Sequence, residues 1–173
     1  MVSRINGLVT AKVKDRNSLG QVLLTYPWLT GKNDSYWAPV ATMMGGNTRG
    51  SWFMPEKGDD VLVAFEHGDF DRPHVVGFMW NGQAKPPRLD PGVDADPQRR
   101  MLLSVNGHMI EIYDPDVGSD GDKGYMRLRD AYGSEIVMQN SEVRIHAKGS
   151  LTLEGANIRI AGRWVDPGST SNI

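Results

Sequence analysis

The alternation of apolar and polar residues is the clearest pattern in this chain, and it is strongest beyond Met101. Apolar residues recur there in pairs at positions i and i+2, namely Ile110/Ile112, Met126/Leu128, Ile136/Met138, Val143/Ile145, Leu151/Leu153 and Ile158/Ile160. A period of two places alternate side chains on opposite faces of a β-strand, so each pair predicts a short strand with one apolar face. Strand–turn units at so short and even a spacing predict a β-solenoid. The charged residues between the pairs, among them Arg127 and Glu142, are expected to point outward into solvent.

The apolar face of these strands is too thin to support the folding of one chain. Burial of its ten inward side chains contributes about 1.5–3 kcal/mol each, whereas ordering residues 126–160 costs about 1–2 kcal/mol per residue. Repeats this short do not enclose a core, so identical chains are expected to pool their apolar faces around one axis. Since three is the smallest number that forms a closed prism, the sequence predicts an intertwined homotrimer. Its predicted core is Met126, Leu128, Ile136, Met138, Val143, Ile145, Leu151, Leu153, Ile158 and Ile160.

Residues 1–83 differ from the repeat region, because they contain longer strand-like runs separated by turn residues. Five such runs without a long helical pattern predict a small closed β-barrel. Residues 84–100 contain four prolines and seven charged residues, which is typical of a linker. The sequence therefore predicts an all-β chain with a barrel at 1–83, a linker at 84–100, the repeats at 101–162 and a C-terminal segment at 163–173.

Composition and charge exclude several classes of protein. The chain has 173 residues, no cysteine and a net charge of −2, so it has neither disulfides nor thiolate metal sites. No segment is basic enough to neutralise a row of phosphates, and we expect no nucleic-acid partner. The chain contains no apolar run of membrane-spanning length and no signal peptide, so we expect it to be made in the cytoplasm and not to be an integral membrane protein.

Three short segments are candidates for chemistry, and each departs from the pattern it would need. Residues 66–74 contain two histidines and three carboxylates but no metal-binding helix frame, and they are typical of a charged turn. Residues 45–51 have the glycine spacing of a phosphate loop, but Ser51 stands where a lysine is required. Residues 114–124 are acidic but place Gly118 and Tyr125 where a calcium loop has its ligands. We therefore predict no catalytic residue, cofactor or metal.

Two segments resemble a known family. Residues 50–82 contain a Pro-Glu-x-Gly-Asp turn at 55–59, the strand sequence VLVAFE at 61–66, a Gly-Asp hairpin at 68–69 and an Asn-Gly at 81–82. Residues 104–114, SVNGHMIEIYD, resemble the segment that opens the β-helix of the same proteins. This combination is similar to the phage baseplate assembly protein V family and the valine-glycine-repeat spikes of type VI secretion. The resemblance implies an N-terminal OB-fold barrel followed by an intertwined triple-stranded β-helix needle.

The sequence departs from some of these relatives in ways that bear on its partners. It lacks the hub domain that precedes the barrel in type VI spikes, so the baseplate hub is expected to be a separate protein. It has no lysozyme-like insert, and it lacks the His-x-His pair that holds an apical iron ion in some phage spikes. A separate tip-sharpening protein is therefore the expected cap of the needle, and its predicted contacts are Arg163, Trp164, Val165 and Ile173.

The resemblance implies a non-enzymatic central spike of a contractile phage tail or phage-tail-like injection system. Such a part is built into the tail particle, is delivered through the target envelope and meets the membrane only while piercing it. A spike that also carries effector cargo at its C-terminus is one alternative. A carbohydrate-binding OB module with an unrelated β tail is the other, and in it Trp37 or Trp52 would contact the sugar.

Overall fold

The computed structural model describes residues 4–30, 34–88, 95–116, 118 and 121–164. The chain divides into two compact units, Met1–Pro86 and Pro87–Ile173. The described residues form β-strands and loops, with a single 3₁₀ turn at Glu66–Gly68. The predicted all-β class is confirmed.

The first unit is a small closed barrel. Its strands are β1 (Leu8–Arg16), β2 (Gln21–Thr25), β3 (Ala38–Pro39), β4 (Gly45–Gly46), β5 (Arg49–Gly50), β6 (Asp60–Phe65) and β7 (Pro73–Met79). Five of them form one sheet in the order β3-β2-β1-β6-β7, and every neighbouring pair is antiparallel. A parallel bridge between Val40 and Val75 joins the two ends of the sheet, and the Ala41 amide donates to the Val75 carbonyl at 2.8 Å. This closure leaves no free edge between β3 and β7.

The barrel interior is built by strict alternation along its strands. In β6 every second residue is buried, so Val61, Val63 and Phe65 point inward. The whole core consists of Ala11, Val13, Val22, Leu24, Tyr26, Ala38, Val61, Val63, Phe65 and Val75. The turn before β6 is fixed by Asp59, whose carboxylate accepts the Glu56 amide at 2.8 Å, and by Gly58, which has a φ of +96°. The Pro-Glu-x-Gly-Asp segment thus serves as the tight turn into β6.

The buried Tyr26 makes the barrel sensitive to alkaline pH. Burial raises the pKa of its phenol to about 12, although a hydrogen bond with Ser35 lowers it in part. Because the folded pKa lies above the usual value near 10, Tyr26 contributes stability that is complete below pH ~10 and is lost as the pH rises toward ~12. We expect the barrel to lose about 2–3 kcal/mol over that range, and the Tyr26→Phe variant to lose less. Denaturant unfolding at a series of pH values measures the difference, and identical pH profiles for the two proteins would contradict it.

The second unit is an antiparallel meander. Its strands are β8 (Arg99–Leu103), β9 (Met109–Tyr113), β10 (Tyr125–Arg129), β11 (Glu135–Gln139), β12 (Glu142–His146), β13 (Arg159–Ile160) and β14 (Arg163–Trp164). The first five form one sheet in the order β12-β11-β10-β9-β8, and β13 pairs with β14 in a separate hairpin. Strand β8 begins at Arg99, inside the range that the sequence predicted as linker. Within one chain the repeats thus pair as a meander.

The connections within this five-stranded sheet differ in length. Residues 140–141 form a two-residue hairpin turn, in which Asn140 and Ser141 have φ values of 50° and 66°. Positive φ at both central positions is the signature of a type I′ turn, which matches the twist of the flanking strands. Residues 104–108 and 130–134 are also compact turns, and each is closed by a hydrogen bond across it. The connection between β9 and β10, residues 114–124, is much longer.

Candidate assembly face

One face of the five-stranded sheet is almost entirely apolar. Cross-strand partners lie on the same face of a sheet, so the register defines two adjacent rows of side chains. The first row runs through Leu102, Ile110, Leu128, Ile136 and Ile145, and the second through Ile112, Met126, Met138 and Val143. We call these nine residues the apolar face.

The apolar face is open to solvent in a single chain. Its side chains range from 38% exposed at Ile112 and Ile136 to 64% exposed at Val143. A contiguous apolar surface of this kind on one protein marks an interaction site, because leaving it in water forfeits the hydrophobic gain from its burial.

The structure brings six of the ten predicted core residues together on this face: Met126, Leu128, Ile136, Met138, Val143 and Ile145. The other four lie outside the sheet. Leu151, Leu153 and Ile160 are exposed, and Ile160 belongs to the β13–β14 hairpin. Leu102 is not among the core residues predicted from the sequence, because residues 101–103 are a continuous apolar run without alternation. Its pairing with Ile110 places it on the apolar face.

The opposite face contains a buried ionic cluster, formed by Arg99, Glu111, Tyr125 and Arg127. The Glu111 side chain is fully buried. Arg127 donates two hydrogen bonds to its Oε2, at 3.0 Å from Nε and 2.6 Å from Nη2. Arg99 donates to Oε1 and also, at 2.9 Å, to the Tyr125 hydroxyl. We call these four residues the Glu111 cluster.

The Glu111 cluster corrects the expectation that the charged residues of the repeats simply face solvent. The Arg127 side chain is only 19% exposed and pairs with Glu111. Burial alone would lower the pKa of Arg99, but its hydrogen bonds with Glu111 and Tyr125 outweigh that effect and raise the pKa. The sequence shows which face Glu111 occupies, because it stands between Ile110 and Ile112 in the same strand. It does not show that Glu111 is buried, because the residues that cover it belong to strands β8 and β10.

The charged turn at residues 66–74 is closed by a backbone hydrogen bond from the Glu66 amide to the Arg72 carbonyl at 3.0 Å, and charged side chains lie close together on its surface. Arg72 Nη1 lies 3.5 Å from a Glu66 carboxylate oxygen, and His74 Nε2 lies 3.8 Å from the same oxygen. Among the residues that the structure describes, no three histidine or carboxylate side chains are grouped so as to hold a metal ion. The turn therefore has the contacts of a surface hairpin.

A groove of about 630 Å³ lies on the barrel unit beside the β4–β5 hairpin. Trp52, Phe53 and Met44 line it, together with Arg49. Trp52 is 63% exposed. Trp37 is not among the lining residues, so the two tryptophans proposed for sugar contact do not share this site.

The predicted tip residues are described only in part. Arg163 and Trp164 form β14, which pairs with β13. The Arg159 guanidinium lies 3.7 Å from the centre of the Trp164 ring, within cation–π distance. Val165 and Ile173 lie outside the described residues.

Comparison with known proteins identifies the barrel. Residues 5–80 match the family described as the type VI secretion system/phage-baseplate injector OB domain. The type VI secretion system spike protein VgrG1b of Pseudomonas aeruginosa is 32% identical over 158 residues, which cover 89% of this chain and 19% of the relative. The chain belongs to the baseplate V and VgrG spike family. The resemblance read from the sequence is confirmed.

Other members of the baseplate V and VgrG spike family match in the same way. The spike protein VgrG3 of Vibrio cholerae serotype O1 is 24% identical over 130 residues, which cover 73% of this chain and 11% of the relative. VgrG5 of P. aeruginosa is 38% identical over 55 residues. The chain thus spans a fifth or less of the length of these relatives. In the described part of the chain, no helix has the length and apolar character needed to cross a membrane.

Proposed function

We propose that this chain is the structural central spike of a contractile phage tail or phage-tail-like injection system and that it works as a homotrimer. The observation that carries the proposal is the apolar face, nine side chains that stay open to water in one chain. Family membership supports a spike role, because the matched relatives are named spike proteins.

Threefold assembly removes the apolar face from water. Three copies around one axis pool their apolar faces into a common core, and each burial contributes the hydrophobic gain that one chain lacks. The edge strands β8 and β12 then gain backbone partners from neighbouring chains, as in an intertwined triple-stranded β-helix. Leu151, Leu153, Ile158 and Ile160 extend the same core toward the C-terminus. A needle without free strand edges is stiff, and stiffness is what puncturing requires.

The remaining roles belong to the same proposal and are supported by the resemblance to the spike family. The OB barrels form the base and seat on a separate baseplate hub protein. Arg163, Trp164, Val165 and Ile173 contact a tip-sharpening protein, and effector cargo uses the same end. Sheath contraction supplies the force, so the chain needs no catalytic group or cofactor, and it meets the target membrane only during piercing.

Native mass decides between this proposal and a single-chain protein. We expect the full chain to form a species of three times 19.1 kDa that resists heat and detergent, and residues 1–100 to assemble more weakly. Native mass spectrometry measures the mass of the assembly, and electrophoresis in detergent without boiling measures its resistance to dissociation. A well-folded monomer of the full chain in dilute solution would contradict the needle.

The groove beside Trp52 favours a second candidate, a carbohydrate-binding OB module. Exposed aromatic rings in a groove of this volume are suited to stacking against sugars. Glycan-array binding by the full chain that is lost in Trp52→Ala and kept in Trp37→Ala would support it, since only Trp52 lines the groove.

A further inference from the structure

The apolar face does not by itself specify how strands β9 and β10 align. A slip by one residue would turn the apolar side chains to the other face, but a slip by two residues leaves each of them on its own face. Ile110 and Ile112 of β9 oppose Leu128 and Met126 of β10. After a two-residue slip in one direction, Ile110 opposes Met126 and that contact remains apolar, whereas Ile112 opposes Gly124 and Leu128 opposes His108. The apolar contacts therefore favour the observed register only in part, and a further feature helps to set it.

Tight turns set the register of three of the four strand pairs in the sheet. The turns at 104–108, 130–134 and 140–141 leave little freedom, because turn length and type fix the alignment of a hairpin. Strands β9 and β10 are joined instead by residues 114–124. A connection of that length constrains the register of its strand pair less than a tight turn does.

The Glu111 cluster lies across this pair of strands. Glu111 and Arg127 are direct cross-strand partners, and both Arg127 contacts reach one carboxylate oxygen. Arg99, which lies in β8, donates a hydrogen bond to the other carboxylate oxygen of Glu111. A two-residue slip that brings Tyr125 opposite Glu111 moves Arg127 opposite the buried Met109. Arg127 then loses its carboxylate partner, and Glu111 keeps only Arg99.

We propose that the Glu111 cluster is a register lock, which excludes this slip of β10 against β9. A buried ion pair adds little net stability but is costly to break, and so it selects one alignment among several of similar apolar contact. The lock acts against a slip in one direction only. A two-residue slip in the other direction places Arg129 opposite Glu111, so that Glu111 still has a cation as its cross-strand partner. The proposal concerns a single chain and does not depend on the spike function, although a fixed register keeps the two rows of the apolar face aligned.

Engineered disulfides measure the register, because the chain contains no cysteine of its own. Directly opposed residues are close enough for a disulfide, whereas diagonal pairs are about 7–8 Å apart and cannot be bridged without backbone movement. Ile110→Cys with Leu128→Cys reports the observed register. Ile110→Cys with Met126→Cys reports the excluded slip, and Ile112→Cys with Leu128→Cys the slip in the other direction. Oxidised glutathione drives the reaction, and peptide mapping identifies disulfides within one chain.

In the otherwise unchanged chain we expect the observed-register pair to form at least about tenfold more disulfide than the excluded-slip pair. Glu111→Leu with Arg127→Leu replaces the ion pair by apolar side chains. In this variant the disulfide yields of the observed-register pair and of the excluded-slip pair are expected to lie within about threefold of each other. The disulfide yield of the Ile112→Cys, Leu128→Cys pair, which reports the slip in the other direction, is expected to change less. Arg100→Gln is the matched control, because it removes the exposed Arg100–Asp114 ion pair between β8 and the end of β9 and should leave the ratio unchanged.

The neutral isostere Glu111→Gln repeats the test with the shape of the side chain preserved, and the ratio is expected to fall there too. An unchanged ratio in either folded variant overturns the lock. Loss of the sheet in both variants also overturns it, since the cluster would then hold the fold and not select its alignment.

Discussion

Ile136→Asp is expected to prevent the proposed threefold assembly and to leave a monomer of 19.1 kDa. Ile136 lies in the first row of the apolar face and pairs with Leu128 and Ile145 on either side. A carboxylate at this position is buried without a partner on assembly, which costs several kcal/mol per chain, and threefold symmetry brings three such charges together. Native mass spectrometry and resistance to detergent measure the change.

Gln139→Asp is the matched control for this substitution. It adds the same charge to the same strand, β11, but on the opposite face, where Gln139 is exposed. The control is expected to remain a heat-resistant trimer. If both variants assembled equally well, or both fell apart, the apolar face would not be the surface through which the chains associate.

Gly124→Ala is expected to lower the free energy of unfolding of the sheet unit by about 4 kcal/mol or more. Gly124 has a φ of +78°, and a Cβ built there would collide with the Tyr113 carbonyl oxygen and lie 2.8 Å from Pro115 Cδ. The strain of the left-handed conformation therefore adds to a backbone collision at the start of β10. Loss of hydrogen-exchange protection in β9 and β10 locates the effect.

Gly121→Ala separates these two contributions. Gly121 has the same φ of +78°, but a Cβ added there would meet nothing within 4 Å. We expect this variant to lose only about 1–2 kcal/mol, the cost of a left-handed non-glycine residue. Equal losses in the two variants would show that the close approach of residues 113–115 to Gly124 does not exist in solution.

The barrel was the part most open to prediction from sequence. The alternation in residues 61–65 and the turn at 55–59 are local features, and the structure has both where the pattern places them. The closing bridge between Val40 and Val75 has no sequence signal, because it joins residues far apart in the chain. The position of Trp52 at a groove and of Trp37 outside it was likewise decided by how the loops pack.

The sequence by itself determined which residues within each of the strands β9, β10, β11 and β12 share a face, since successive side chains of a strand point to opposite sides. It also determined membership of the spike family, through the motifs of residues 50–82. Only the tertiary structure decided which strands are neighbours, that Leu102 joins the apolar face and that Glu111 is buried between two arginines. The physical reason is that a period of two is a property of the local backbone, whereas register and burial arise from contacts between strands that the sequence leaves far apart.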